Sequence, residues 1–418
     1  MKFPARRSVV LISFCSLLLL PRLAPGQETE VAPIVSPPPA LATPAAAAPA
    51  ASATPSPSAT PVQLTDVLCK GLKARSIGPA VMGGRVSEIA LDSRNPAVFY
   101  VGLATGGLFK TSNNGVSFEP LFDKQAVLSI GAVAIAPSDS DVLWVGTGEA
   151  NDRNSSEWGD GVYRSTDGGS TWANVGLKES RAIARIAVHP TKPEVAYVAA
   201  MGNLWKDGGE RGLFKTTDGG KTWKIVLHAP APNDVRTGCG DVVLDPENPE
   251  TICATLYARQ RTPWSFAYGV TATNGADVGG IFKSTDGGET WKKCAGGLPG
   301  QTGRIGLAVS ASKPKVVMAL VQSDEGGATD ISSIHSRSGG VFRSEDGGEK
   351  WARMSDINPR PFYFSQIRID PANDQRVYVL AMALLASDDA GKNFREDLSE
   401  KVHPDCHALA IQPGSAPA

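Results

Sequence analysis

The sequence predicts an all-β fold in which six to seven sheets of four strands close into one ring, and three observations support this. An eight-residue motif that ends in an aromatic residue recurs six times along the chain. Ahead of each copy, two apolar residues are separated by one position, the spacing that places both on one face of a strand. The 418 residues include 44 Gly and 31 Pro, which suits many short strands joined by turns. Such repeats predict a single β-propeller.

The motif is clearest at residues 284–291, which read Ser-Thr-Asp-Gly-Gly-Glu-Thr-Trp, and it recurs at 165–172 and 216–223, with looser copies at 344–351, 387–394 and 111–118. The Asp carboxylate and the first hydroxyl can accept backbone N–H groups and close an Asx-type turn, and the glycine at the fifth place can supply a positive φ. The final aromatic side chain is expected to cover the hairpin. Identical chemistry repeated six times is poor support for one active site, so a structural role is predicted for Asp167, Trp172, Asp218, Trp223, Asp286, Trp291, Asp346, Trp351 and Asp389.

The first 63 residues are predicted to precede the folded domain. Residues 1–26 have the pattern of a secretory leader, with Lys2, Arg6 and Arg7 ahead of an apolar run at 9–20. That run is too short for a comfortable transmembrane helix. Residues 27–63 are mostly Ala, Pro, Ser, Thr and Val, which predicts a disordered spacer. The chain is therefore expected to be secreted or periplasmic.

The propeller is predicted over residues 64–418 as six repeats and the start of a seventh. Each repeat reads as an apolar strand, a turn, a second strand, a loop, a third strand that follows a glycine, and then the motif with a fourth strand. The first strands carry the apolar pairs Ile89/Leu91, Val133/Ile135, Ile186/Val188, Val242/Leu244, Leu307/Val309 and Ile367/Ile369. A seventh pair, Leu409 and Ile411, begins another unit, and residues 73–77 are a candidate partner that would help to close the ring.

The motif resembles the Asp-box (BNR) repeat of sialidase-like, xyloglucanase-like and sortilin-type β-propellers. A closer resemblance, to bacterial proteins labelled glycosyl hydrolase BNR repeat with a sortilin N-terminal-like domain, is carried by residues 76–79, 144–149, 159–163, 360–363 and 403–407. It extends over about 72–412 and implies the propeller fold. Sialidases of this group clamp a carboxylate with three arginines, but Arg85, Arg185 and Arg304 fall at different heights when the strands are aligned. Xyloglucanases place catalytic Asp residues between two propellers, and this chain has one at most.

Ligands are expected on the face opposite the Asp boxes, where the second-to-third-strand loops and the crossovers between units lie. The loops at 149–160, 202–211, 258–279 and 322–339 are long, and long loops on a rigid scaffold often carry function. Three of them contain Trp158, Trp205 and Trp264, which could be stacking platforms for sugars or protein side chains, or could plug the loops onto the propeller. Glu149, Asp152 and Asp160 are catalytic candidates for a glycosidase. They are weak ones, because the two carboxyl groups of a glycosidase must lie about 5–5.5 Å or about 6.5–9.5 Å apart, and the sequence does not give this distance.

The residue ahead of each apolar pair should stand at the mouth of the central channel. These residues are Glu88, Ala132, Arg185, Asp241, Gly306 and Gln366. The polar ones, Glu88, Arg185, Asp241 and Gln366, are candidate ligand contacts, or else a solvated and mutually paired rim. Because Glu88 and Asp241 come from units one and four, we expect them to lie too far apart for a catalytic pair.

The sequence gives little support for a metal site, a disulfide bridge or nucleic-acid binding. His403, Asp405 and His407 could form part of a metal site if the two His side chains point the same way, but a third ligand beside them is not evident. No cofactor is predicted. Cys239 and Cys253 fall on neighbouring strands about three residues out of opposition, so no obligatory bridge is expected. The net charge of −1 without a basic block gives no reason to expect nucleic acid. Oligomeric state is left open.

These observations favour an exported interaction module that binds a protein or a cell-wall glycan. A glycoside hydrolase of the xyloglucanase or sialidase type is the alternative. A sorting or assembly factor, like the sortilin and photosystem-assembly propellers, is a second alternative.

Overall fold

The computed structural model describes residues 84–229, 234–268, 278–325, 335–336, 338–396 and 403–412. The predicted leader, spacer and closing segment 73–77 lie outside these ranges, and the predicted domain boundaries stay predictions. All regular structure in the described residues is β-strand, arranged as six sheets whose main path has four strands each. The prediction of an all-β propeller with six to seven four-stranded blades is confirmed, with six blades in the described residues. None of the described residues forms a helix long and apolar enough to cross a membrane.

The first three blades follow the chain from the centre of the ring outward. Blade 1 contains β1 (Val86–Leu91), β2 (Phe99–Leu103), β3 (Gly107–Thr111) and β4 (Glu119–Pro120). Blade 2 contains β5 (Ile130–Ala136), β6 (Asp139–Thr147), β7 (Val162–Ser165) and β8 (Ala173–Gly176). Blade 3 contains β9 (Ile183–Val188), β10 (Ala196–Ala200), β11 (Gly212–Thr216) and β12 (Lys224–Leu227).

The second three blades repeat this order, with one addition. Blade 4 contains β13 (Thr237–Leu244), β14 (Ile252–Arg261), β16 (Gly280–Ser284) and β17 (Lys292–Cys294), and a short β15 (Phe266–Tyr268) pairs with the end of β14. Blade 5 contains β18 (Ile305–Val309), β19 (Val317–Val321), β20 (Gly340–Ser344) and β21 (Ala352–Ser355). Blade 6 contains β22 (Gln366–Asp370), β23 (Asn373–Leu380), β24 (Leu384–Ser387) and β25 (Arg395–Glu396).

The core lies between neighbouring blades, where the apolar faces of two sheets meet. The inner strands β1, β5, β9, β13, β18 and β22 contact one another in this order around the ring. The first residue of each predicted apolar pair is buried, from Ile89 in blade 1 to Ile367 in blade 6. The period-two pattern therefore identified the inner strands correctly.

The segment 403–412 packs between blade 6 and blade 1. Ala408 lies in the cluster of Ile89, Phe99 and Val101 of blade 1, whereas Leu409 lies in the cluster of Tyr378 and Leu380 of blade 6. Alternate side chains thus face the two neighbouring blades, as in an inner strand. The apolar pair Leu409 and Ile411 points to blade 6, and this segment helps to close the ring.

The Asp boxes form the turns that the sequence predicts. In the fourth copy, Ser284 Oγ donates to Asp286 Oδ1 at 2.7 Å, and the Thr290 N–H donates to the same oxygen at 2.9 Å. Both Gly287 and Gly288 have positive φ, so the left-handed region is used at the fourth place as well as the fifth. The hydrogen bonds hold the Asp286 carboxylate in its charged form, which lowers its pKa.

The aromatic residues of the boxes cover their own hairpins as expected, since Trp291 Nε1 donates to Gly288 O at 3.1 Å and Trp351 Nε1 to Gly348 O at 3.0 Å. Some of them also pack against the preceding blade. Trp223 of blade 3 meets Trp144 of blade 2 edge-on, with ring centroids 6.2 Å apart, and its Nε1 donates to Val175 O at 2.8 Å. Tyr197 of blade 3 in turn donates its hydroxyl to Gly287 O in the box of blade 4 at 2.9 Å. Each box is therefore a joint between two blades.

The cysteine prediction holds for the described residues. Cys239 stands opposite Leu256 and Cys253 stands opposite Val243, which is the three-residue offset expected. Cys239, Cys253, Cys294 and Cys406 are all free thiols.

Candidate functional site

The loop that joins β6 to β7 crosses the channel mouth on the face opposite the Asp boxes. Its Asp152 has a fully buried side chain and forms a short ion pair with Arg259 of blade 4, whose side chain is also fully buried. The Tyr257 hydroxyl donates to Asp152 Oδ2 at 3.0 Å, and the Asp152 N–H donates to Phe362 O, in the crossover between blades 5 and 6, at 3.1 Å. This loop joins blade 2 to the opposite side of the ring.

The other two weak catalytic candidates are also occupied by structural contacts. Glu149, 1% exposed in its side chain, accepts from Arg85 Nε at 2.9 Å and from Asn151 Nδ2 at 2.8 Å. Asp160 Oδ2 accepts from the Tyr163 hydroxyl at 2.8 Å. Glu149 and Asp152 each neutralise a different arginine and thereby fix the loop.

The predicted channel-mouth residues converge on one guanidinium. Arg185 donates from Nε to Asp241 at 2.9 Å, from Nη1 to Glu88 at 3.1 Å and from Nη2 to Gln366 at 3.2 Å. Arg368 adds a second guanidinium, 2.9 Å from Gln366 Oε1. The cluster therefore matches the alternative in which these side chains pair with one another around the channel mouth.

Electrostatics in the channel follow from this pairing. Burial acts to lower the pKa of Arg185, but the carboxylates of Asp241 and Glu88 outweigh it, so the pKa is raised. Burial, followed by the nearby positive charge of Arg185, lowers the pKa of Arg368 to about 10. The expectation that Glu88 and Asp241 lie too far apart to act together was wrong in its geometry, since both contact one side chain. Their negative charges are nevertheless shared with two arginines.

A β-bulge aims the channel residues inward in four blades. The register of the inner strand skips one residue just before Glu88, Ala132, Arg185 and Asp241. A bulge re-aims the following side chain and increases the local twist. Aligning the six repeats with one another showed that these residues occupy equivalent positions along the inner strands. It did not predict the bulges, because a bulge has no strong sequence signal here.

The three loop tryptophans are solvent-exposed. Trp158, Trp205 and Trp264 expose 64%, 42% and 92% of their surface. The alternative in which these indoles plug their loops onto the propeller does not describe them. Other exposed apolar side chains of this face include Met382, at 47%, in the loop between β23 and β24.

Arginines lie over two of these indoles, and sequence reasoning missed them. Arg181 sits 5.1 Å from the ring centroid of Trp158, and Arg261 sits 6.0 Å from that of Trp205. Such cation–π contacts stabilise the exposed rings in one orientation. Since Arg181 comes from a crossover and Arg261 from the end of β14, only the fold brings them to the tryptophans.

The candidate metal residues do not converge. His403 is exposed, whereas His407 is buried, stacks on Phe364 with centroids 4.8 Å apart, and lies 3.4 Å from Asp405. Burial lowers the pKa of His407, with Asp405 acting in the opposite direction. In the ranges that the structure covers, no group of three or more His, Cys, Asp or Glu side chains could hold a metal ion.

The fold and the boxes define the chain as an Asp-box β-propeller, and comparisons with known proteins agree. The Sortilin-Vps10 family model, described as "Sortilin, neurotensin receptor 3,", matches residues 160–298. A xyloglucanase of Hypocrea jecorina is 26% identical over 311 residues, covering 68% of this chain and 34% of the relative. Xyloglucanase Xgh74A of Acetivibrio thermocellus is 24% identical over 257 residues, covering 52% and 27%. The chain therefore spans about a third of the length of these curated relatives.

Solved structures agree on the fold alone. An ancestral GH74 enzyme superposes with a TM-score of 0.54 at 20% identity, covering 75% of this chain and 38% of that one. The GH74 enzyme of Niastella koreensis gives a TM-score of 0.50 at 21% identity, covering 75% and 45%. Together with the match of the family model to residues 160–298, these similarities support the β-propeller fold.

Proposed function

We propose that this chain is an exported glycan-binding propeller whose ligand lies on the loop face opposite the Asp boxes. The exposure of Trp158, Trp205 and Trp264 carries the proposal. The chain has eight tryptophans, and the other five are packed between blades or half-buried in the boxes. Exposed apolar side chains that share one face of a domain mark a candidate binding site, and these three come from successive blades 2, 3 and 4.

The loops beneath the tryptophans are held rigidly, which favours binding. The buried ion pair between Asp152 and Arg259 anchors the loop that carries Trp158. Arg259 Nη2 also donates to Gly202 O, the first residue of the loop that carries Trp205, at 2.9 Å. A preformed platform loses little conformational entropy when a ligand binds. The names of the xyloglucanase relatives suggest β-glucans as the first ligands to test.

Binding can be measured with the full chain by affinity electrophoresis in gels that contain xyloglucan, mixed-linkage β-glucan or peptidoglycan fragments. Replacing Trp158, Trp205 and Trp264 by Ala together is expected to abolish retardation. Val116→Ala is the matched control, since Val116 is 84% exposed in the first Asp box on the other face. Retardation that survives the triple substitution, at an unchanged melting temperature, would contradict the proposal.

Glycoside hydrolysis is the second candidate, and the xyloglucanase relatives favour it. Against it stands the use of Glu149 and Asp152 as ion-pair partners of Arg85 and Arg259. A glycosidase needs one carboxyl group that can give up a proton to the leaving oxygen and a second that acts from the other side. We expect xyloglucan, sialyl-lactose and peptidoglycan to release no reducing sugar above a blank. Release that disappears in Glu149→Gln, with folding intact, would favour the hydrolase.

A further inference from the structure

Three arginines on the loop face have no carboxylate partner and make at most one hydrogen bond each within the described residues. They are Arg153 of the β6–β7 loop, Arg261 at the end of β14 and Arg360 of the crossover between blades 5 and 6, here called the arginine row. Other arginines of the same face are paired with a carboxylate, as are Arg85, Arg181, Arg236 and Arg259, or donate to several backbone carbonyls, as do Arg211 and Arg304. The row therefore presents positive charge that the described side chains leave unneutralised.

The arginine row lies on a continuous line of aromatic rings. Arg153 sits 4.7 Å from the ring centroid of Tyr363, and Arg360 sits 5.1 Å from the same ring and 5.8 Å from that of Phe362. Phe362 contacts Phe266 with centroids 5.5 Å apart, and Arg261 lies 5.8 Å from Phe266. Arg261 also reaches Trp205, so the row joins the exposed tryptophans.

The hydrogen-bonding capacity of the row is largely unused. Arg261 donates one bond, from Nη1 to Asp152 O at 2.6 Å, while its buried Nε finds no partner in the described part of the chain. Arg360 makes one weak contact, from Nη1 to the Met382 sulfur at 3.9 Å. Burial lowers the pKa of Arg261; Asp152 opposes this shift, and the positive charge of Arg153 adds to it. An anion placed between these groups would relieve their repulsion and accept the free N–H bonds.

We propose that the arginine row binds the carboxylate groups of an acidic polysaccharide, so that the ligand of this face is a glycan rich in uronic acids. A guanidinium presents a planar pair of N–H donors that matches a carboxylate. Tyr363 and Phe362 are buried and hold the guanidinium groups in place, whereas the partly exposed Phe266 and the exposed Trp205 offer the apolar faces of sugar rings a surface to contact. A polymer with a carboxylate on successive sugars suits a row of guanidinium groups. This inference rests on the proposed glycan-binding function and specifies its ligand class.

The test compares polygalacturonate with neutral xyloglucan in affinity electrophoresis of the full chain. Arg153→Gln combined with Arg360→Gln keeps much of the apolar stem while removing two charges. The matched control is Lys221→Gln combined with Lys392→Gln, which removes the same charge from exposed positions in two Asp boxes. We expect the arginine variant to bind polygalacturonate at least tenfold more weakly and the lysine variant to bind it as the unmodified chain does. Melting temperatures check folding, and an Arg→Lys pair at the same positions should restore part of the affinity.

Each outcome decides the question. Wild-type affinity of the arginine variant, an equal loss in the lysine control, or equally tight binding of single-stranded DNA would overturn the inference. Binding of xyloglucan without binding of polygalacturonate would overturn it while leaving the proposed function standing. Absence of binding to any glycan would count against both.

Discussion

Asp152→Asn tests whether the loop across the channel is held by charge or serves catalysis. The substitution leaves the guanidinium of Arg259 in a fully buried position without its carboxylate, and places an amide where Asp152 Oδ2 accepts the Tyr257 hydroxyl. Removing one partner of a buried ion pair costs about 3–5 kcal/mol. For the roughly 300 described residues, an unfolding entropy of about 2.1 cal/mol/K per residue converts this cost into a melting temperature lower by about 5–8 °C.

Differential scanning calorimetry measures this shift, and Asp207→Asn is its control. Asp207 pairs with Arg236 at 2.9 Å but is 46% exposed in its side chain, so its loss should cost about 1 kcal/mol or less. Combining Asp152→Asn with Arg259→Gln removes both charges and should be less destabilising than the sum of the single changes. A melting temperature within 1 °C of the unmodified chain, accompanied by loss of sugar release, would refute the structural argument and identify Asp152 as catalytic.

Two further predictions concern the boxes and the channel. Hydrogen bonds to the charged form lower the pKa of Asp167, Asp218 and Asp389 to about 2. Because the pKa of Asp in the unfolded chain is near 3.9, the stabilising contribution of these carboxylates is complete above about pH 4 and is lost as pH falls towards 2. The melting temperature should therefore fall over this pH range, while ligand binding per folded molecule stays constant. A melting temperature that does not change with pH would contradict this prediction. Arg185→Met leaves Arg368 as the only positive partner of Glu88 and Asp241 among the described channel residues. It should lower the free energy of unfolding, measured in urea, by about 3 kcal/mol. An unchanged urea midpoint would mean that channel water screens these charges.

The repeated part of the molecule was predictable from sequence, and the unrepeated part was not. Inner strands, Asp-box turns and the height of Glu88 and Arg185 follow from patterns that occur in every unit. The pairing of Asp152 with Arg259 joins positions 107 residues apart, one in a loop and one near the end of β14, and neither position belongs to the repeated pattern. No local pattern encodes such a contact, because it depends on how far one loop reaches across the ring.

The arginine row is a second arrangement that the sequence could not predict. Arg153, Arg261 and Arg360 come from a loop, a strand end and a crossover, and nothing in their spacing connects them. Loop length left open whether the tryptophans are exposed or packed onto the propeller, and both their exposure and their arginine neighbours required the three-dimensional arrangement.

The position of the Asp box between blades has a consequence for how such a chain changes length. Each unit carries both surfaces of this contact. Its Asp box packs against the preceding blade, and a strand residue such as Tyr100 or Tyr197 donates a hydrogen bond to the box of the next blade. A duplicated unit therefore arrives with compatible surfaces on both sides, and a deleted unit leaves two surfaces that still match. Insertion or loss of whole blades requires no redesign of the contacts that remain, whereas the loops across the channel mouth would have to find new partners each time.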